Sequence, residues 1–284
     1  MVHDVVSQDA ADAAARAWMT ALAMFASAQP NGSSRVGAHG TAQLVTGAPM
    51  PLLNGVIGIG RDADPEEIAA FAASPALESV AWSVQVRGEP VDDRIVAVAA
   101  DHGLDRRSML PFMLKSLGED DLPEGKQESG QRSERKSERK SERASVRDSE
   151  AAGLTVRRVW GDEAGLYRAA LAAGYGGPEE IFSVFVARPV MDHVAMRGYV
   201  AELEGVVVAT SFGVLVDDFV GVFNIAVPPE FRRRGYGRAA TEVVLCDAYE
   251  EGARTAFLHA SPLGVPLYQA MGFQLAENWS LFTA

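Results

Sequence analysis

The sequence predicts an α/β (α+β) fold built as two similar halves in tandem, each a sheet flanked by helices. Strand-like apolar runs alternate with segments of helical period along most of the chain. The same order of runs occurs twice. A charged stretch with no large apolar side chain, between Leu122 and Val146, separates the two copies.

In the first half, residues 8–28 place Trp18, Leu22 and Phe25 on one stripe of an amphipathic helix. Residues 38–46 read as a strand. PLLNGVIGI (51–59) is a strand and DPEEIAAFAA (64–73) a helix whose early acids suit the positive end of the helix dipole. VAWSVQVRG (80–88) is a strand. VDDRIVAVAADHGL (91–104) is a helix running to Gly103-Leu104, and SMLPFMLKSL (108–117) closes as a strand.

Residues 119–152 then form a charged, flexible linker containing SERK (133–136), SERK (137–140) and SERA (141–144). A four-residue period stacks Glu134, Glu138 and Glu142 on one side of any helix and Arg135, Arg139 and Arg143 on another. Those like charges oppose a stable helix. The expected division is therefore 1–118, 119–152 and 153–284.

The second half opens with a strand in TVRRVWG (155–161) and a helix, DEAGLYRAALAAGYG (162–176), that ends at glycine. A short helix lies near 178–185. Residues 194–203 and 206–215 make a hairpin turned at Glu204-Gly205. VFNIAV (222–227), RAATEVVLCDAYEE (238–251), TAFLHAS (255–261) and VPLYQAMGF (265–273) read as strand, helix, strand and short helix, before a closing strand from Trp279 to Thr283. Asn54 follows Leu53 as Asn224 follows Phe223, and each asparagine precedes a Gly-apolar pair by nearly the same distance.

Composition bounds the function. The 284 residues are 48% hydrophobic, ample for globular cores, and carry a formal net charge of −12. That charge disfavours sequence-independent nucleic-acid binding and mildly favours a cationic small molecule. A single cysteine, Cys246, excludes an intrachain disulfide and a cysteine-based metal site, and helical neighbours such as Val243 point to core packing. Asp4, Asp9 and Asp12 occupy the region where a signal peptide needs basic residues, and no apolar run is long enough to span a bilayer. A cytoplasmic protein without metal is expected.

The chemistry concentrates at 222–245. An apolar strand enters Pro228-Pro229, then Arg232-Arg233-Arg234, then Gly235-Tyr236-Gly237-Arg238 and a helix. A helix start offers unpartnered N–H groups and partial positive charge. Glycine lets a bulky anion approach closely, and arginine suits phosphate. The segment reads as a diphosphate cradle. Gly235 to Ala240 also fits the dinucleotide fingerprint G-x-G-x-x-A, but there the glycines leave the strand directly, whereas here Pro-Pro-Glu-Phe-Arg-Arg-Arg intervenes. No P-loop pattern occurs.

Together the two blocks, Arg232-x-x-Gly235-x-Gly237 and Tyr268 just before Gly272-Phe273, make residues 154–284 resemble the GNAT superfamily of acyl-coenzyme A-dependent N-acyltransferases. The resemblance implies mixed, mostly antiparallel sheets flanked by helices, with acetyl-CoA as co-substrate. It implies that Arg232, Arg233, Arg234, Gly235, Tyr236, Gly237 and Arg238 hold the pyrophosphate. Ile225, Ala226 and Val227 would pair with the pantetheine and stabilise the carbonyl oxygen. Ser261 stands where many relatives have a cofactor-contacting asparagine. Tyr268 is the expected general acid.

No glutamate base is evident on the central strands. Asn224 could order a water. His259, on the side of Phe257, reads as packed or cofactor-facing, and Asp217, Asp218 and His193 are further candidates. The first half has Gly60-Arg61-Asp62-Ala63-Asp64-Pro65 where the second has its cradle, so a non-catalytic half is expected, open to shaping the cleft, mediating dimerisation or simply supporting the other half. The expected function is direct acetyl transfer to an amine of a small molecule or peptide. The rival is a non-catalytic acetyl-CoA-binding regulatory or interaction protein.

Overall fold

The computed structural model describes residues 6–122, 147–148 and 153–284. The tandem SERK units, and with them nearly all of the expected linker, lie outside the described residues.

The first half comprises helix α1 (Gln8–Ser27), strands β1 (Ser33–Val36), β2 (Thr41–Val45) and β3 (Asn54–Gly58), helix α2 (Pro65–Ala72), strand β4 (Ser83–Arg87), helix α3 (Asp93–Asp101) and strand β5 (Arg106–Ser116). After β6 (Arg147–Asp148) come β7 (Leu154–Val159), α4 (Ala164–Tyr175) and two single turns, α5 (Ser183–Val186) and α6 (Arg188–Met191). The meander β8 (Met196–Leu203), β9 (Val206–Val216), β10 (Phe219–Ala226) leads to α7 (Tyr236–Glu250), β11 (Thr255–His259), α8 (Val265–Ala270) and β12 (Gln274–Thr283). Three features differ from the sequence expectation. β1 is exposed at every position, so it carries no alternation to read. Pro51–Leu53 is a 3-10 turn that feeds β3. β12 starts at Gln274 rather than near Trp279, because β5 pairs with it along almost its whole length.

All strands form one sheet in the order β1-β2-β3-β4-β12-β5-β11-β10-β9-β8-β7-β6. From β1 to β8 the order is palindromic about the β12–β5 pair, and β7 and β6 extend the sheet beyond β8. β3 runs parallel to β4 and β10 parallel to β11, while every other neighbouring pair is antiparallel. Each parallel pair needs a crossover, supplied by α2 and α7. The closing strands are exchanged: β12 pairs with β4 of the first half, and β5 pairs with β11 of the second. The two stretches of sequence therefore share one sheet.

The alternation of strand side chains divides the core by face. Phe112, Phe257, Ile57 and Trp279 join α1, α4, α5 and α6 on one face. On the other face, Val220, Ala256 and Leu258 pack beneath α7 and α8, and Val56, Val84 and Phe282 beneath α2 and α3. Ser7 caps α1 by accepting a hydrogen bond from the Ala10 amide at 3.2 Å. Buried Ala14, Ala15, Ala21 and Ala26 let α1 lie close to the sheet. From there Trp18 meets His259 and Trp279 edge-on at 5.1 and 4.8 Å, and Phe25 meets Phe223 at 5.7 Å. The first helix of the chain is thus packed against the strands of the second half. Cys246 is buried in α7.

Candidate functional site

The site is organised by a break in strand pairing. β10 and β11 are hydrogen-bonded neighbours only over Phe219–Gly221 and Thr255–Phe257. Beyond Gly221 the two strands part. At the same level β10 is bulged against β9 between Phe223 and Ala226, and Asn224 takes a left-handed φ of 54°. A bulge re-aims the backbone and leaves residues outside the ladder. Here it leaves Asn224 and Ile225 out of register with β9. The Thr210 hydroxyl fixes the bulge by donating to the Asn224 carbonyl at 2.8 Å. Asn224 Nδ2 is buried without a well-formed hydrogen bond, beside a Tyr167 hydroxyl that donates to the Ser211 carbonyl at 2.9 Å.

Below the parting, Pro229–Phe231 makes a 3-10 turn, and the chain then passes through two left-handed residues, Arg233 (φ 66°) and Gly235 (φ 87°), into α7. Glycine suits this conformation because it has no Cβ to clash. The first intrahelical bond is from the Ala239 amide to the Gly235 carbonyl at 3.0 Å. Among the described residues, no amide from Arg233 to Arg238 donates a hydrogen bond. An unbroken run of undonated N–H groups, at the positive end of a helix dipole, is an arrangement that favours an anion.

The arginines divide into two kinds. Arg233 and Arg234 form no ion pair among the described residues, and Arg234 lies 5.9 Å over the Phe231 ring. Arg232 instead turns inward: Nε donates to the Val227 carbonyl at 3.0 Å and Nη2 to the Gly174 carbonyl at 2.9 Å. Arg238 donates to the Ala270 carbonyl at 3.0 Å and pairs with Glu242 at 3.3 Å. These two guanidiniums brace α4 and α8 around the site. Tyr236 is likewise buried, leaving its amide at the cradle. The sequence groups all of these side chains toward phosphate, because hydrogen bonds to distant carbonyls have no local signature.

The strap from Arg232 has a partner in packing. A Cβ on Gly174 would stand 2.6 Å from Ala226 Cβ, so only glycine lets α4 dock this closely on β10. The next residue, Tyr175, is the last of α4. It stacks on Phe182 at 5.4 Å and is 54% exposed, yet surrounding protein pushes its phenol up to about 12. Nothing in the local sequence distinguishes Tyr175 from any other helix end.

Tyr268, on α8, is 8% exposed and 5.7 Å from Phe273. Burial raises its phenol above the ordinary tyrosine value, and neighbouring Tyr175 adds to the shift. Its hydroxyl makes no hydrogen bond to a described residue. Ser261 lies in the loop between β11 and α8 and accepts from the Gly264 amide at 3.2 Å.

The candidate bases are resolved by position. His259 is enclosed by Trp18, Phe112 and Trp279, and neither ring nitrogen makes a well-formed hydrogen bond. Burial pushes it down to about 3, against a weaker opposing pull from the Leu110 backbone. It is a neutral packing residue. Asp217 and Asp218 sit in the β9–β10 turn, and His193 just before β8. That is the opposite end of the sheet, roughly 20 Å along β10 from the bulge. They are excluded from the site. Among the described residues no group of three or more His, Cys, Asp or Glu could hold a metal ion, and no helix is long and apolar enough to cross a membrane.

This geometry agrees with what the chain resembles. The family model described as an acetyltransferase (GNAT) domain matches residues 195–275, which hold β8 to β11, the cradle and Tyr268. Among solved structures, a GCN5-related N-acetyltransferase from Kribbella flavida superposes with a TM-score of 0.62 at 19% identity, covering 96% of this chain and 95% of its own. A functionally unknown conserved protein from Staphylococcus epidermidis gives 0.59 at 12% identity, covering 89% and 94%. A protein from Novosphingobium aromaticivorans described as a GNAT-family acetyltransferase gives 0.51 at 14% identity, covering 88% and 91%. These likenesses extend the shared fold across both halves. No curated protein matches the sequence. Within the C-terminal half of this chain, residues 195–275 thus match a GNAT acetyltransferase domain.

Proposed function

We propose that the protein is an acyl-CoA-dependent N-acetyltransferase that moves acetyl from acetyl-CoA directly to the amine of a small molecule or peptide. The observation that carries this reading is the run of undonated amides from Arg233 to Arg238 beneath the parting of β10 and β11. A diphosphate needs several N–H donors and positive charge, and the helix start with Arg233 and Arg234 supplies both. Bound there, acetyl-CoA supplies an acetyl group already activated as a thioester.

The protein's own groups do the rest. Ile225 and Val227 would receive the pantetheine as an added strand on the free side of β10, and their amides would steady negative charge on the carbonyl oxygen. The Val227 carbonyl already accepts from Arg232, so the donor side of this backbone is the freer one. Tyr268 is protonated throughout the working pH range and would give its proton to the departing sulfur. With His259 neutral and enclosed, the amine would shed its proton to water ordered near Asn224 and Tyr167. The first half is read as a degenerate GNAT-like domain without a cofactor, and the setting as cytoplasmic.

A second reading, a non-catalytic acetyl-CoA-binding protein, is favoured by the removal of each candidate base from the site. Release of free thiol from acetyl-CoA with a panel of amines separates the two, after CoA binding has been measured by calorimetry. Binding with amine-dependent thiol release supports the transferase. Binding without release supports the second reading, and no binding sinks both.

A further inference from the structure

A cavity of about 660 Å³ lies in the first half, between α1 and the exits of β3 and β4. Its walls include Asp12, Arg16 and Met19 from α1, Val36 from β1, and Ile59, Arg61 and Arg87. In the palindromic sheet this is the counterpart of the cleft in the second half. β4 stands to β3 as β11 stands to β10, and Arg87, the last residue of β4, corresponds to His259, the last residue of β11.

The chemistry of the two places differs. β3 and β4 stay paired through Gly58 and Val86, so there is no parting to admit an added strand. The start of α2 is already served: Asp64 caps it, and the Glu67 carboxylate accepts from the His39 and Thr41 amides at 3.0 and 2.9 Å. A diphosphate is not accommodated there. The cavity is instead lined by Arg16, Arg61 and Arg87 together with Asp12. Arg87 is satisfied by Glu277 and Asp12, and Arg61 shares Asp12. Arg16 has no hydrogen-bonding or ionic side-chain partner among the described residues. Arg16 is thus the lining cation left without a counter-charge, on a chain of net charge −12. Beside it are Met19, Ile59 and Val36, the last 63% exposed on the edge strand.

We propose that this cavity is a second ligand site, distinct from the cradle, for an organic carboxylate with an apolar body. The carboxylate pairs with the Arg16 guanidinium, whose planar fork matches two oxygens, and the hydrocarbon covers Met19, Ile59 and Val36. Its size is in the range of small-molecule sites, about 300–1,000 Å³. The site shares no residue with the acetyl-CoA cradle and does not depend on the acetyltransferase reading.

The test titrates the full chain with 4-phenylbutyrate, 4-phenylbutanamide and 4-phenylbutylamine, which share a body and differ in the head group. Saturable binding of 4-phenylbutyrate is expected, at least about tenfold tighter than either analogue, as for a charge-assisted pair. Arg16→Gln should weaken it by about the same factor, with melting temperature and CoA affinity unchanged, since Arg16 is exposed and its side chain is bonded to nothing among the described residues. Val36→Glu, a like charge on an exposed edge, should weaken it too. Absence of saturable 4-phenylbutyrate binding, equal binding of the three probes, or an Arg16→Gln protein that binds as wild type would overturn the proposal.

Discussion

Arg87 and Glu277 meet at 2.6 Å in a two-pronged ion pair that joins β4 to β12, the last strand of the other half. The Arg87 side chain is 2% exposed, and its remaining donors reach Asp12 at 2.6 Å and the Ile59 carbonyl at 2.9 Å. Burial works against the guanidinium charge, but the hydrogen bonds from Arg87 to Glu277 and Asp12 outweigh it and raise the pKa. The Trp279 indole also donates to Glu277 at 2.7 Å. One carboxylate thus closes the seam created by strand exchange. Glu277→Gln should destabilise the fold by about 3 kcal/mol, the cost of leaving a buried charge short of its partner. Urea unfolding measures it, and a loss below about 0.5 kcal/mol would show that the seam does not depend on this pair.

Arg232 predicts an effect that its motif position alone would misassign. Arg232→Ala removes two charge-assisted bonds to carbonyls and frees the C-terminal turn of α4 from β10. A stability loss of about 1 kcal/mol is expected, with weaker CoA binding that is insensitive to salt. Arg233→Gln with Arg234→Gln should behave oppositely: unchanged melting temperature, and CoA affinity reduced about tenfold per charge at low salt, less at high salt. Calorimetry at two ionic strengths distinguishes them.

Tyr268→Phe keeps the ring against Phe273 and deletes only the hydroxyl. Turnover should fall by about a hundredfold, the usual worth of a positioned acid. CoA affinity should hold within about twofold, well under 1 kcal/mol. Steady-state kinetics with calorimetry reads both, and a parallel loss of affinity and turnover would assign Tyr268 to packing.

His259 makes stability pH-dependent. Its folded pKa is lowered to about 3, below the ordinary histidine value of 6.5. The unfolded chain therefore binds a proton that the folded chain refuses between those values. Stability from this group is full above 6.5 and is lost as pH falls toward 3, by at most about 1.4 kcal/mol per pH unit. His259→Phe should flatten the slope of unfolding free energy between pH 6.5 and 4.5. An unchanged slope would mean the ring is protonated in the fold.

Much of this was legible in the sequence, for physical reasons. Trp18, Leu22 and Phe25 revealed α1 because burial of one helical stripe leaves a period, and Glu204-Gly205 marked the β8–β9 turn by composition. Gly235 marked the turn into α7 because its left-handed φ of 87° restricts residue type. What stayed hidden depends on contacts distant in sequence. The exchange of β5 and β12 leaves each strand's own pattern unchanged. Arg232 looks the same whether it faces phosphate or the Gly174 carbonyl. Tyr175 gains its place only when Gly174 docks on Ala226. His259 was correctly placed on the Phe257 side by alternation, whereas its enclosure by Trp18 comes from a helix far away in the chain.

The amides at the start of α7 are proposed to hold the diphosphate of the acyl carrier. Titration of CoA into wild type and Gly235→Asp, followed by calorimetry, tests it most directly. The introduced carboxylate would itself cap the free N–H groups and repel phosphate, at a backbone cost of about 1 kcal/mol that the fold can bear. Saturable binding by wild type and at least a hundredfold loss in the folded variant, about 2.7 kcal/mol, is the predicted result. Equal affinity in the two proteins, or no binding by wild type, would contradict it.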